Sequence, residues 1–119
     1  MIPKHLMIVD DHEDILFFLE QGIRQTWPNF FVTTMKSGQD ALQYLKKAPV
    51  DLMLIDYKMP GMNGLELAEA VRKIAPKTRI IMMSSVDPPE LRMTTGTYDA
   101  YLDKPFGISA IRPLVTACC

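Results

Sequence analysis

The stretch that decides the fold is DLMLIDYKMPGMNG, residues 51–64. Its first part, Leu52–Ile55, is an apolar run without polar alternation, which is typical of a strand buried on both faces of a parallel sheet. The run stops at Asp56, and a turn around Pro60-Gly61 follows. A helical pattern begins after Asn63-Gly64. This order of strand, loop and helix predicts one unit of an alternating α/β chain.

The same kind of strand occurs on both sides of this stretch. Two further apolar runs, Leu6–Val9 and Ile80–Met83, stop at Asp10 and Ser84. The remaining strand candidates are Phe31–Met35 and Ala100–Leu102. Met7, Met53, Met82 and Met83 lie inside these runs, where methionine usually fills core space.

Helical patterns with one apolar stripe each lie between the strands. The first predicted helix has the stripe Ile15, Leu19 and Ile23. The second has Ala41, Leu42 and Leu45 and follows Ser37 as its N-cap, and the third has Leu67, Ala68, Val71 and Ile74. Strand and helix thus alternate about five times, which predicts a doubly wound α/β domain: a parallel sheet with helices on both faces and right-handed crossovers.

Composition limits the possible functions. The 119 residues, 48% hydrophobic and 23% charged, fit a single domain over residues 1–119. The 13 basic and 14 acidic residues nearly cancel and form no basic run, so we expect no direct nucleic-acid binding. Apolar stretches are too short to cross a bilayer and no signal-peptide core precedes Leu6, so we expect a cytoplasmic protein. Cys118 and Cys119 are adjacent, which argues against a disulfide framework or a cysteine metal site.

The polar residues that follow the strands are the candidate functional residues. Ligands of open α/β sheets bind outside the carboxyl ends of the strands, near the point where strand order reverses. If the first and third strands are neighbours, five residues converge there: Asp10, Asp11, Asp56, Ser84 and Lys104. Clustered carboxylates repel each other, and an oxygen-only ligand set of this kind suits Mg²⁺ beside a phosphate. The combination predicts a site where an Asp carboxylate accepts a phosphoryl group.

Each of these residues taken alone has a simpler explanation. Asp10 and Asp11 suit a helix N-terminus, Asp56 suits a turn, and Ser84 is an ordinary loop hydroxyl. Lys104 before a proline is commonly a solvated charge, and a histidine beside many acids, such as His12, is commonly a solvated loop residue. The prediction therefore depends on all of the strand-end residues occurring together.

Three segments resemble one known family. They are MIVDD at residues 7–11, the stretch at residues 51–64, and YLDKPF at residues 101–106. The chain resembles the receiver domains of bacterial two-component response regulators over essentially its whole length. The resemblance implies a flavodoxin-like fold with five parallel strands in the order 2-1-3-4-5.

The resemblance also implies a role for each site residue. Asp56 would be phosphorylated, Asp10 and Asp11 would hold Mg²⁺ with it, and the Lys58 carbonyl would be a further metal ligand. Lys104 would contact the phosphoryl oxygens. Ser84 and Tyr101 would be the switch residues that change the face of the fourth helix, fifth strand and fifth helix.

The implied partners are a sensor histidine kinase or a histidine phosphotransfer protein, and a possible downstream output domain or protein. Partner choice would depend on the first helix around Ile15, Leu16, Phe18 and Leu19. Such a domain is not a metabolic enzyme, although it catalyses its own phosphotransfer and dephosphorylation. A free-standing regulator, the receiver of a larger transcription factor and the receiver of a hybrid kinase all remain open.

Some residues depart from the family pattern. Lys104 follows Ser84 after twenty residues, slightly fewer than expected, and Pro88-Pro89 leaves room for only a short fourth helix. Pro113 should kink the last helix. Lys58 and Val86 offer no carboxylate or amide that could orient an attacking water, so we expect slow hydrolysis of the phosphoryl group.

Three alternatives belong to other functional classes. A phosphatase of the haloacid dehalogenase type needs a second Asp two residues after the nucleophile, where this chain has Lys58. A flavodoxin-like flavin carrier needs a phosphate-binding loop after the first strand, where the acidic residues 10–14 would repel phosphate. A receiver-like module that signals without phosphorylation would not need the intact acidic set.

Overall fold

The computed structural model describes residues 4–85 and 96–118. Five strands and four helices alternate in this part of the chain: β1 His5–Val9, α1 Glu13–Thr26, β2 Phe31–Met35, α2 Gly38–Leu45, β3 Leu52–Asp56, α3 Gly64–Ile74, β4 Arg79–Ser84, β5 Ala100–Asp103 and α4 Ile108–Cys118. All five predicted strands are present, with ends shifted by at most one residue. Val86, Pro88-Pro89 and the predicted short fourth helix lie outside the described residues, so the helix predicted as the fifth is α4.

The five strands form one parallel sheet in the order β2-β1-β3-β4-β5. This confirms the doubly wound, flavodoxin-like arrangement. Strand order reverses at β1, which pairs with both β2 and β3. The last residue of β1, Val9, is in register with Met35 on one side and Ile55 on the other. The chain therefore leaves β1 and β3 side by side.

The two faces of the sheet carry separate halves of the core. Met7, Val9, Met53 and Ile55 pack on one face with residues of α2 and α3. Their sequence neighbours in β1 and β3 pack on the other face with residues of α1 and α4. Because successive side chains of a strand point to opposite faces, β1 and β3 need apolar residues at every position, which explains the unalternated runs. All four methionines predicted to fill the core are fully buried.

The helix starts are determined by local side-chain chemistry. Ser37 accepts a hydrogen bond from the backbone N–H of Asp40 at the start of α2. Asn63 and Glu66 form a reciprocal capping box at the start of α3, which stabilises a helix end by about 1 kcal/mol. Pro113 lies inside α4, and the helix continues beyond it to Cys118.

The predicted helix stripes differ from the structure in two details. In α1 Leu19 and Ile23 are buried and Ile15 is half-buried against the same core, and Leu16, which the predicted stripe omits, is buried as well. In α3 the side chain of Ile74 is 47% exposed because it is the last residue of the helix. The core contacts of α3 therefore end at Val71.

Candidate functional site

The polar residues predicted to converge lie at the edge of the sheet formed by the carboxyl ends of the strands, here called the carboxyl edge. Asp10 follows β1, Asp56 is the last residue of β3, and Ser84 is the last residue of β4. Backbone hydrogen bonds tie the loops to the sheet: Asp10 N–H donates to the Met35 carbonyl at 3.1 Å and Lys104 N–H to the Ser84 carbonyl at 2.8 Å. The ends of four neighbouring strands therefore supply the site.

Lys104 joins the two buried carboxylates of the site. Its Nζ donates to Asp10 Oδ2 and to Asp56 Oδ1, each at 2.9 Å. Asp10 is 0% exposed and Asp56 is 4% exposed. Asp10 and Asp56 lie at the ends of the adjacent strands β1 and β3, whereas Lys104 follows β5, on the far side of β4. All three continue the parity of strand residues that pack on the α1 side of the sheet, namely Ile8, Leu54 and Leu102. A buried ammonium that contacts two carboxylates is a strongly charged centre rather than a solvated surface lysine.

Burial and charge shift the titration of this centre. Burial raises the pKa of Asp56, and although the Lys104 hydrogen bond acts in the opposite direction, the pKa stays above its usual value. Burial acts to lower the pKa of Lys104, but its hydrogen bonds to Asp10 and Asp56 outweigh burial and raise the pKa. Lys104 therefore remains protonated at neutral pH, when the carboxylates need a cationic partner.

Asp11 and His12 complete the acidic cluster. Nδ1 of His12 lies 3.0 Å from Asp10 Oδ1 and 3.3 Å from Asp11 Oδ1. The hydrogen bond with Asp10, followed by the charge of Asp11, raises the pKa of His12. His12 is exposed, as predicted for a loop residue, but its ring nitrogen is directed toward two carboxylates. The sequence favours a solvated loop histidine over a metal ligand at this position, whereas in the structure the ring contacts both acids.

The cluster has the ligands and the charge that suit a divalent cation. Asp10, Asp11, His12 and Asp56 each offer a ligand atom, and these atoms all lie within 4.8 Å of one another. Asp11 Oδ1 is buried and accepts no hydrogen bond within the described part of the chain. Three carboxylates face one lysine ammonium, so the cluster has excess negative charge. A hard cation such as Mg²⁺ would satisfy both the unpaired oxygen and the charge. Lys58, whose backbone carbonyl is the fourth predicted ligand, lies in the loop after β3 with an exposed side chain.

The two predicted switch residues lie on the other side of the sheet from Lys104. Ser84 is 1% exposed and has the same parity in β4 as Met82, which packs on the α3 side. Tyr101 is half-buried against the same core and is in register with Met82. Ser84 and Tyr101 thus belong to one side of the β4–β5 pair, two positions apart.

A close contact under Asp56 was not predicted from the sequence. A Cβ atom on Gly64 would lie 2.4 Å from the backbone oxygen of Asp56 and 2.7 Å from Cα of Tyr57. The backbone N–H of Gly64 donates to the Tyr57 carbonyl at 2.7 Å. Glycine therefore lets the start of α3 pack directly against the loop that carries Asp56. The signal in the sequence is the Asn63-Gly64 pair, which by itself indicates only a helix start.

A separate cavity lies at the opposite edge of the sheet. Its volume is about 670 Å³, and its lining includes Lys46, Lys47, Ile74 and Lys77. None of the predicted site residues lines it. These lysines come from segments far apart in the sequence, which is why no basic run was visible there.

No helix in residues 4–85 and 96–118 combines the length and the apolar character needed to cross a membrane.

Comparison with known proteins identifies the family. The family model described as the response regulator receiver domain matches residues 6–116, and the chain belongs to this family. It is therefore a signalling domain of the two-component type.

Curated relatives are longer than this chain. It is 31% identical over 111 residues to the transcriptional regulatory protein GlrR of Escherichia coli, covering 92% of this chain and 24% of that protein. It is 35% identical over 111 residues to the DNA-binding transcriptional regulator NtrC of Klebsiella pneumoniae, covering 91% and 23%. It is 31% identical over 108 residues to the autoinducer 1 sensor kinase/phosphatase LuxN of Vibrio harveyi, covering 90% and 12%. The chain thus spans about a quarter or less of these relatives.

Solved structures of similar length share the fold. The chemotaxis protein CheY4 of Vibrio cholerae is 25% identical with a TM-score of 0.88, covering 98% of this chain and 99% of that one. A response regulator receiver domain protein of Methanospirillum hungatei is 26% identical with a TM-score of 0.90, covering 97% and 92%. The response regulator TrrA of Thermotoga maritima, solved in complex with Mg(2+)-BeF, is 25% identical with a TM-score of 0.86, covering 98% and 99%.

Proposed function

We propose that this chain is a phosphoacceptor switch that takes a phosphoryl group onto Asp56 from a histidine kinase or a histidine phosphotransfer protein. The observation that supports the proposal most strongly is the Lys104 ammonium, which lies 2.9 Å from a carboxylate oxygen of both Asp10 and Asp56. This arrangement puts a fixed positive charge beside the acceptor at the carboxyl edge of the sheet. Membership of the receiver domain family supports the same reaction.

The proposed reaction is the displacement of a histidine by a carboxylate. A carboxylate oxygen of Asp56 forms a bond to phosphorus while the bond between phosphorus and the donor imidazole nitrogen breaks, and the electron pair remains on that nitrogen. Lys104 would release one of its two carboxylates and donate to a phosphoryl oxygen instead. Asp56 must be ionised to attack, so its raised pKa predicts that phosphorylation slows as the pH falls through that pKa.

We propose that Asp10, Asp11, Asp56 and the backbone carbonyl of Lys58 hold Mg²⁺ in this reaction. The buried Asp11 Oδ1, which accepts no hydrogen bond within the described residues, and the excess of carboxylates over ammonium groups support this assignment. When bound, Mg²⁺ neutralises charge on the phosphoryl oxygens and screens the acids from one another. The side chain of Lys58 is exposed and offers no carboxylate or amide to orient an attacking water, so we expect slow self-catalysed hydrolysis.

The output of the switch would be carried by Ser84 and Tyr101. Phosphorylation adds about 1.5 to 2 negative charges and new acceptor oxygens at the carboxyl edge, which gives the Ser84 hydroxyl a strong new partner. Because Ser84 and Tyr101 belong to the same side of the β4–β5 pair, movement of Ser84 changes the space that the tyrosine ring can occupy. The change would reach the surface formed by β5 and the helices beside it. Two conformations would then differ in population according to their contacts with the phosphoryl group.

The cellular setting is also part of the proposal. We expect a cytoplasmic receiver domain over residues 1–119, with a downstream output domain or protein that receives the conformational change. The relatives named as transcriptional regulators and as a sensor kinase/phosphatase support partners of both kinds.

The test is phosphorylation by a small-molecule donor. The protein is incubated with acetyl phosphate and Mg²⁺, and its intact mass is measured. We expect one added phosphoryl group on the wild type, none on Asp56→Asn, and one on the control Asp40→Asn, which changes an exposed carboxylate in the first turn of α2. Equal phosphorylation of Asp56→Asn and wild type, or a folded wild type that is never modified at any Mg²⁺ concentration, would refute the assignment.

A further inference from the structure

We propose that His12 is an additional, nitrogen ligand of the cation site, so that the site binds first-row transition ions with the help of an imidazole as well as binding Mg²⁺. The inference rests on the proposed function, because it uses the cation site at Asp10, Asp11 and Asp56. It adds a residue and an ion preference that the carboxylates alone do not provide.

The spacing of the ligand atoms supports this role. His12 Nδ1 lies 3.0 Å from Asp10 Oδ1 and 3.3 Å from Asp11 Oδ1. In an octahedral site with metal–ligand distances of about 2.1 Å, adjacent ligand atoms lie about 3.0 Å apart. The nitrogen thus has the separation from both oxygens that adjacent positions on one ion require. The ligand atom of Asp56 is within 4.8 Å of each of the others.

A hydrogen bond between His12 and Asp10 does not account for the whole arrangement. Asp10 Oδ1 already accepts the backbone N–H of His12 at 2.9 Å. Asp11 Oδ1 is buried and has no hydrogen bond within the described residues, although the His12 nitrogen is only 3.3 Å away. A cation held by the imidazole lone pair and by both oxygens would satisfy the three atoms together. The ring is largely exposed, so Nε2–H stays accessible to water, as a metal-bound imidazole requires.

An imidazole ligand changes which ions the site favours. Mg²⁺ prefers oxygen ligands, whereas imidazole suits zinc and nickel among the divalent ions. Removal of His12 should therefore weaken Ni²⁺ and Zn²⁺ binding by about tenfold or more, because even the mutation of a residue that only supports a metal ligand commonly lowers metal affinity by that factor. Mg²⁺ binding should change by less than about twofold, because oxygen ligands remain.

The sequence itself provides a matched control, because it has only two histidines. His5, at the other end of β1, contacts Thr33 and the rings of Phe31 and Tyr44 and is not part of the acidic cluster. The experiment uses the full, tag-free chain with Mn²⁺ as a paramagnetic probe and records electron spin echo modulation from coordinated ¹⁴N. His12→Ala and His5→Ala are compared with the wild type, with circular dichroism as a check on folding.

We expect the imidazole ¹⁴N modulation in the wild type and in His5→Ala, and its loss in His12→Ala. Calorimetric titration with Ni²⁺ and with Mg²⁺ should give the unequal losses stated above. If Mn²⁺ binds without imidazole modulation, or if the modulation persists in His12→Ala, the role of His12 is refuted while the carboxylate site of the proposed function stands. If the wild type binds none of the three ions, the proposed function fails together with this inference.

Discussion

The close approach of α3 to the loop that carries Asp56 makes Gly64→Ala a sensitive test of the structure. The new Cβ atom would lie 2.4 Å from the Asp56 carbonyl oxygen, and ordinary contact begins near 3.4 Å, so the two backbones must separate by about 1 Å. Because the nearest atoms belong to the main chain, no side-chain rotation can relieve the clash. The hydrogen bond from Gly64 N–H to the Tyr57 carbonyl, now 2.7 Å long, would be stretched by the same movement.

The size of the effect follows from three contributions. Overpacking costs about 1–3 kcal/mol, and weakening a buried hydrogen bond costs about 0.5–1.5 kcal/mol. Alanine is a better helix former than glycine by up to about 1 kcal/mol, which offsets part of the loss at the start of α3. We expect a net loss of about 2 kcal/mol in the free energy of unfolding, which for a chain of this size lowers Tm by roughly 10 °C.

The assay is urea unfolding followed by far-UV circular dichroism, together with the rate of phosphorylation by acetyl phosphate. Gly107→Ala is the matched control, because its nearest neighbour would be Ser109 Oγ at 4.0 Å and its φ is not positive. The control should change stability by less than about 0.5 kcal/mol. Gly64→Ala should also be phosphorylated more slowly, because the Asp56 backbone moves. A Gly64→Ala protein as stable as the Gly107→Ala protein would show that the reasoning about this contact is wrong.

Three further predictions concern charged residues. Lys104→Met should lower the free energy of unfolding by about 3 kcal/mol at pH 7, because it leaves the buried carboxylates without their ammonium partner, and by less as the pH falls and Asp56, whose pKa is raised by burial, becomes protonated; equal losses in urea unfolding at neutral and at acidic pH would contradict this. Arg72→Met should cost about 2 kcal/mol, because the guanidinium donates to Asp99 at 2.6 Å and to three backbone carbonyls, at 2.9, 2.7 and 3.4 Å; the comparison Arg79→Met, with an exposed 3.4 Å contact to the same carboxylate, should cost less than about 1 kcal/mol. The pKa of Asp99 is lowered, because the hydrogen bond from the Ile80 N–H and the charges of the two arginines outweigh the effect of burial. The carboxylate therefore stabilises the fold above its unfolded-state pKa, and this stability is lost as the pH falls through its folded-state pKa. Asp99→Asn should flatten the acid limb of a plot of stability against pH, and an unchanged limb would count against this prediction.

Most of the fold could be predicted from the sequence because the two central strands carry an unambiguous pattern. A run such as Leu52–Ile55 is apolar at every position only if both faces of its strand are covered, and this requires helices on both sides of the sheet. Helix ends were harder to predict. Ile74 fits the apolar stripe of α3, but the helix ends at this residue and its side chain remains exposed. Periodicity predicts the direction in which a side chain points, but it does not predict whether another helix or strand covers that side chain.

The site was predictable for a different reason. The register of parallel strands brings the residues at the ends of β1 and β3 together without any information about side-chain packing, so Asp10 and Asp56 meet once the strand order is known. The position of the Lys104 side chain is harder to predict, because its hydrogen bonds to both carboxylates depend on the conformation of the loop after β5. The contact of His12 with two acids, and the fit of Gly64 under Asp56, depend on distances of a few tenths of an ångström, and no pattern in the sequence encodes these.

The site also explains why buried charge is tolerated in a sheet that is otherwise apolar. Three carboxylates and one ammonium leave an excess negative charge at the end of β1 and β3, and burying such charge costs several kcal/mol unless it is paired. The cost falls on the last residues of the strands, where the loops begin, while the strand interiors remain fully apolar. Under the proposed function, a cation or a phosphoryl group that enters the site would change this charge balance, and the change in electrostatic energy would be available to shift the neighbouring loops. The same imbalance that lowers the stability of the resting protein would then make its conformation responsive to phosphorylation.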